Sequence, residues 1–181
     1  MSGFGLRLSR SQGMEGFTGN LNGFAIDPSN SNAIFTGDPV VLNAGAIEAA
    51  SDGATAILGV FMGCRFTDSG GDVVFKNHWD GGSNRSDAVA SIALPVASMF
   101  WIKGEEGVDF QPATSIGAAH PFVINAGSPQ YGDSRVTLGA AGAGALVVHR
   151  LVDMPNNKWG TDGPLLEVSC NLQLGTFSDA S

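Results

Sequence analysis

The sequence predicts an all-β fold: a compact β-barrel or β-tulip-like domain carrying an extended N-terminal arm. Three observations predict it. Two runs, "ILGVFMGCRF" and "PLLEVSCNLQL", place apolar residues at every second position, the period of a strand with one face on a core. Turn signals built from Gly, Pro, Asp, Asn and Ser recur at short intervals, and no segment sustains the 3.6-residue period of a helix. Gly is abundant, at 26 of 181 residues, while charged residues make up 14 %, too few to coat many surface helices.

The elements follow in chain order. Residues 1–33 are rich in Gly, Ser and Asn, yet Phe4, Leu6, Leu8, Phe17, Leu21, Phe24 and Ile26 recur among them. A purely flexible linker has no use for large apolar anchors. The expectation is an arm that lays Phe4, Leu6, Leu8 and Phe17 onto a neighbouring surface. The competing reading is a strand packed on its own domain.

Residues 34–175 read as the β domain and 176–181 as a short tail. "IFTGDPVVL" turns at Gly37-Asp38-Pro39 and continues as a β-branched run. The amphipathic strand around Leu58 to Phe66 puts Leu58, Val60, Met62, Cys64 and Phe66 on one face. Asp68-Ser69-Gly70-Gly71-Asp72 is a hairpin signal, and "VVFKNHW" is the returning strand. "AVASIAL" and "ASMFWIKG" follow, with Pro95 marking an edge or bulge. A helix of a turn or two fits only Pro112 to Ala119; "HPFVIN", "SRVTLG" and "ALVVHRLVD" supply further strands. In the last strand Leu166, Val168, Cys170, Leu172 and Leu174 face inward, while Glu167, Ser169, Asn171 and Gln173 point the other way.

Composition narrows function. The net charge of −8 leaves no basic surplus to neutralise phosphates, so nucleic-acid binding is not expected. The longest nearly apolar stretch, Ala88 to Ile102, is too short to span a bilayer, and no apolar leader is visible in the first twenty residues. The expectation is a soluble protein made in a cytoplasm. Cys64 and Cys170 lack metal-type spacing and fall on buried strand faces. They read as small core hydrophobes, with a disulfide or a reactive thiol as the alternatives.

Catalytic patterns are sparse. There is no GxSxG elbow, HExxH, CxxC pair or phosphate loop. His78-Trp79-Asp80 offers two metal-ligand types but no third with geometry; the expectation is that Trp79 fills a barrel end while His78 faces solvent. His149, on the face of Val147 and Leu151, reads as a hydrogen-bonded core or interface histidine, and His120 before Pro121 as part of an extended connection. Asp38, Asp52, Asp68, Asp72, Asp80, Asp133 and Asp162 sit in turn contexts where carboxylates cap backbone N–H groups. No cofactor, metal or catalytic residue is expected. Phe100, Trp101 and Phe110 surround an acidic tip, Glu105-Glu106, an arrangement that serves either as barrel filling or as a protein contact.

Three stretches carry a further signal. They are "GDPVVLNAGAIEAASDGATAILGVFMGCRF", the region "VFKNHWDGG" to "FWIKG" with "IGAAHPFVIN", and "SRVTLG" followed by "LVVHRLVDMPNNKWGTDGPLLEVSCNLQL". Together they resemble the head decoration, or cement, proteins of tailed bacteriophages, over roughly residues 34–174. The resemblance implies a virion protein without enzymatic activity, assembled in the host cytoplasm, that binds major capsid protein on the outer surface of the expanded head. It also implies a homo-oligomer, most often a trimer, with Trp101 and Trp159 as candidates for oligomer or surface contacts. In that pattern "MPNNKWGTDGP" is a connection between two late strands: Pro155 ends one strand, Asn156 and Asn157 tolerate left-handed geometry, and Gly160 and Gly163 complete the turn. A virion-surface module recognising host glycans through Trp79, Trp101 or Trp159 is the rival reading, and a hydrolase using turn carboxylates a third.

Overall fold

A computed structural model describes residues 3–11, 21–81, 85–96 and 98–171. Along the first part of the chain run β1 (Arg7–Ser11), β2 (Leu21–Ala25), β3 (Ile34–Phe35), β4 (Pro39–Asn43) and β5 (Ala46–Ala49). The middle holds β6 (Gly59–Thr67), β7 (Val73–Lys76), β8 (His78–Trp79), β9 (Val89–Ala93) and β10 (Ser98–Lys103). A one-turn helix, α1 (Pro112–Ser115), precedes β11 (Ala119–His120), β12 (Phe122–Val123) and β13 (Thr137–Leu138). The chain closes with β14 (Leu146–Leu151) and β15 (Leu165–Cys170).

The fold is nearly all-β, as the alternation predicts. One antiparallel sheet runs β1-β10-β15-β14-β11; a second runs β2-β9-β6-β4-β5, with β7 also on β6. Small ladders join β12 to β13 and β3 to β8. The expected barrel is corrected to open sheets: among the described residues the first sheet ends at β1 and β11 and the second at β2 and β5, so neither closes on itself.

Two apolar clusters hold the sheets. In the first, Phe100, Ile102, Leu146, Val148, Leu166 and Val168 of the first sheet pack with Val60 and Ala93 of the second. In the other, Phe61, Cys64, Phe66, Ala90 and Ile92 gather with Ile34, Ile47 and Trp79. Each such large side chain, taken fully out of water, contributes about 1.5–3 kcal/mol before the entropic cost of ordering it.

The first 33 residues do not stand apart as an arm where they are described. β1 pairs with β10, Arg7 opposite Trp101 and Leu8 opposite Phe100, and β2 pairs along its length with β9. Leu6 is 1 % exposed within the first cluster, and Leu8 packs half-buried against it. The cause is local: the Leu6 N–H donates to the Gly37 carbonyl at 2.9 Å. Gly5, at φ +72°, lets the chain press so close that a Cβ there would lie 2.5 Å from Ser134. Leu6 is thus corrected from a neighbour anchor to part of this domain's own packing, while Leu8 keeps one part of its side chain in water. Phe17 and the tail 176–181 lie outside the described residues.

Two bulges rewrite the simple alternation. In β6 the pairing with β9 shifts between Phe61 and Cys64, and Gly63 between them has φ +131°. The shift reverses which face each side chain meets: Phe61, Cys64 and Phe66 share the second cluster, while Val60 and Met62 turn to the first. In β14 the register against β15 shifts between Val148 and Arg150. His149, the residue inside that shift, is exposed and bonds Ser169 Oγ through Nε2 at 2.8 Å. It is hydrogen-bonded as expected, but lies outside the core.

Candidate interaction surfaces

Across the first sheet one lateral row reads Arg7, Trp101, Glu167, Arg150, each opposite the next on the neighbouring strand. Glu167 does point away from the apolar cluster, as its parity requires, yet it is completely buried. Arg150 donates to it through Nε at 2.6 Å and a terminal nitrogen at 3.3 Å, and the Ser9 hydroxyl donates at 3.0 Å. The hydrogen bonds and charge of Glu167 push the Arg150 pKa up. Trp101 is half-buried, and its Nε1 is buried without a hydrogen-bond partner among the described residues. Phe100 and Phe110, its neighbours in the acidic-tip segment, are buried in the core. Trp159 packs half-buried against the first cluster.

The late hairpin keeps the predicted connection, but β14 ends at Leu151, before Pro155, and Asn157 is not left-handed. β14 and β15 pair antiparallel, and the connection between them takes left-handed backbone at Asn156, Gly160 and Gly163. Asn157 ties its two ends together: its amide donates to the Val152 and Leu165 carbonyls at 2.7 and 2.8 Å, and its Oδ1 accepts the Leu165 N–H at 2.9 Å. Asp162 accepts the Gly107 N–H at 2.8 Å, fastening this connection to the loop after β10.

The histidines and carboxylates are held by structural contacts. His120 is fully buried in β11, stacked on Phe110, with Nδ1 2.9 Å from the Gly139 carbonyl and Nε2 3.3 Å from that of Ser115. His78 is half-buried rather than solvent-facing; its ring stacks on Phe35 and its Nε2 lies 2.7 Å from Asp80, which also receives Lys76 at 2.7 Å. Asp68 caps backbone N–H groups of its own turn, as read from the sequence, whereas Asp52 accepts the Ile124 N–H from a distant segment. Asp133 instead pairs with Arg7 at 3.3 Å. Among the described residues no group of three or more His, Cys, Asp and Glu side chains is placed to hold a metal ion.

Both cysteines are free. Cys64 packs in the second cluster and Cys170 against the first, so the two cannot approach as a disulfide. Burial pushes the Cys64 thiol up to about 11, and burial likewise raises that of Cys170. Neither is the low-pKa thiol of a nucleophile.

Trp79 has no exposed face: it is completely buried, its Nε1 donates to the Asn30 carbonyl at 3.3 Å, and it meets Phe66 edge-on. It cannot stack on a sugar. A recess of about 190 Å³ lies between Phe35, Pro39, Ile124 and Val136, with Asp38 in its wall. That carboxylate accepts the Phe35 N–H at 2.8 Å, and desolvation raises its pKa against the hydrogen bonds from Ser134 and Phe35.

The exposed large apolar side chains are spread over strands and loops: Phe75 (77 %), Val96 and Tyr131 (63 % each) and Val73 (60 %) stand furthest into solvent. Phe4, half-buried, has the Arg7 guanidinium 5.7 Å above its ring, and Arg7 is anchored on Asp133, two positions from Tyr131. The sequence does not show this neighbourhood, because only the fold brings Arg7 to Asp133. The class that fold and surface define is a nearly all-β domain of antiparallel sheets with apolar side chains standing on its exterior. No family model matches the chain, and no curated protein or solved structure matches it either.

Proposed function

We propose that this chain is a head decoration protein of a tailed bacteriophage, binding major capsid protein on the outside of the expanded head. The observation that carries the reading is an ordered, nearly all-β framework that keeps large side chains in water, among them Tyr131, 63 % exposed and two positions from Asp133, the partner of Arg7. The resemblance of the three quoted stretches adds to it. Decoration needs no turnover. It needs a rigid body that buries modest area on several capsid subunits at once, so that many contacts must break together before the shell opens. A homotrimer on the virion surface suits that task, because each copy then adds its contacts to those of its neighbours.

The contact residues to test are those that keep some face in water. Leu6 is inside the domain, and removing residues 1–26 would strip β1 and β2 from the two sheets. The surface residues to test are therefore Phe4 and Tyr131, with Phe17 kept as the arm candidate. Electron microscopy of expanded heads with and without the chain tests the reading directly. Added density over capsid-subunit junctions is expected, and Phe4→Ser with Tyr131→Ser should reduce its occupancy without unfolding the protein. Heads that never acquire the protein at saturating concentration would reject the proposal.

A further inference from the structure

The open edge of β7 carries a pattern that is complementary to itself. Among the described residues β7 pairs with β6 alone, Cys64 opposite Lys76, Arg65 opposite Phe75, Phe66 opposite Val74 and Thr67 opposite Val73. At the mouth of this hairpin the Asp68 N–H donates to the Asp72 carbonyl at 2.9 Å. Backbone groups alternate in direction along an antiparallel strand. Asp72, Val74 and Lys76 therefore face β6 with their N–H and C=O groups, and Val73 and Phe75 turn theirs to the open side. The Lys76 carbonyl agrees: it lies against Gly63 of β6, 2.9 Å from where a Cβ would stand.

We infer that two copies of this chain join through β7, edge to edge, about a two-fold axis, a contact distinct from the three-fold one proposed above. Outward-facing residues must pair with outward-facing residues. Setting Val73 against Val73, or Phe75 against Phe75, leaves the other member of the set beyond the end of the ladder. With Val74 at the axis, Val73 exchanges both backbone bonds with Phe75 of the second copy, and the symmetry repeats the exchange. The same register brings Asp72 opposite Lys76 of the second copy, on the same face, twice.

The side chains agree with this register. Val73 and Phe75, 60 % and 77 % exposed in the single chain, become an aromatic–β-branched cross-strand pair, a favourable combination for a sheet. Lys76 is already held near the edge by Asp80 at 2.7 Å. The hairpin is rigid before any partner arrives, because Asp68 Oδ1 accepts the N–H groups of both Gly70 and Asp72 at 2.8 and 3.0 Å. A strand whose shape is set in advance loses little further entropy on pairing. Sheet edges of this kind, apolar and unpaired, are the usual sites of strand addition. The second copy is the occupant chosen because its charges, apolar residues and backbone groups all coincide in one register.

The test needs only purified protein and so stands apart from the decoration reading. Light scattering after size exclusion, from about 1 μM to about 1 mM, should show association of the intact chain that grows with concentration, as expected of a small interface. Asp72→Lys sets a lysine against Lys76 of the second copy, and Lys76→Glu sets a glutamate against Asp72 of the second copy. Each variant alone should weaken association at least about tenfold, whereas an equimolar mixture restores both opposite-charge pairs and should recover it to within about threefold of the original. Phe75→Ser, at an exposed position, should also weaken it, with urea midpoints showing that every variant is folded. Absence of association across the range overturns the inference. So does an assembly mass that no variant lowers, or a mixture no better than its components. Loss of capsid binding in these variants with self-association unchanged would assign the edge to a capsid strand and equally reject self-pairing.

Discussion

Arg150 and Glu167 face each other across the β14–β15 hairpin, Nε 2.6 Å from Oε2, with the carboxylate completely buried and the guanidinium half in water. The arrangement explains how an acidic residue sits inside a sheet protein. The carboxylate gives up hydration, and Arg150 and Ser9 return hydrogen bonds, while the arginine keeps about half of its own solvent contact.

Substituting Arg150 by Met should therefore lower stability by about 2 kcal/mol, the scale of a lost hydrogen-bonded charge partner. Adding Glu167→Leu to that variant should recover part of the loss, because the buried charge goes with its partner. Urea denaturation of the single and double variants checks this. A double variant less stable than the single one would show that the carboxylate is held mainly by other groups.

Asp38 gives the protein a pH dependence of known sign. Its folded pKa is raised by desolvation above the ordinary value of 3.8, so it opposes folding when charged. The opposition is absent where both states are protonated and grows as pH rises from the ordinary value through the folded one. Asp38→Asn removes the charge and keeps an acceptor for the Phe35 N–H. Its stability relative to the original chain should increase between pH 4 and pH 7, and equal differences at both pH values would contradict the burial argument.

Gly63 is the pivot of the β6 bulge. Alanine there meets a φ of +131° and places Cβ 2.9 Å from the Lys76 carbonyl oxygen. A loss of about 1–3 kcal/mol is expected, the scale of a strained backbone position. Thermal unfolding of Gly63→Ala against Gly71→Ala separates the two causes, since at Gly71 φ is also positive but nothing lies within 4 Å. The Gly63 variant should melt lower.

Asn157 replaces a stretch of ladder with its side chain, through three hydrogen bonds to Val152 and Leu165. Asn157→Ala should cost about 2–3 kcal/mol in total. Asn157→Asp keeps the acceptor and loses the donor, so it should also be destabilised. Amide exchange at Leu165 should accelerate sharply in the alanine variant and less in the aspartate one. Unchanged protection at Leu165 in both variants would remove Asn157 from its proposed role.

Legibility divided along the range of the forces involved. The β class, the Asp68–Asp72 hairpin, the β14–β15 connection with its left-handed Asn156, and the burial of Leu166 and Val168 were all readable in the sequence. Each rests on chemistry spanning a few residues: turn residues that accept unusual backbone angles, and a side-chain period of two. Tertiary structure alone decided that residues 7–11 belong to the first sheet and that Gly63 and His149 mark bulges. It also decided that Glu167 and His120 are buried, Trp79 enclosed, and Arg7 paired with Asp133. Those outcomes depend on which distant strand supplies the opposite side of a pair. Burial is a property of both surfaces in contact, and a chain read one residue at a time contains only one of them.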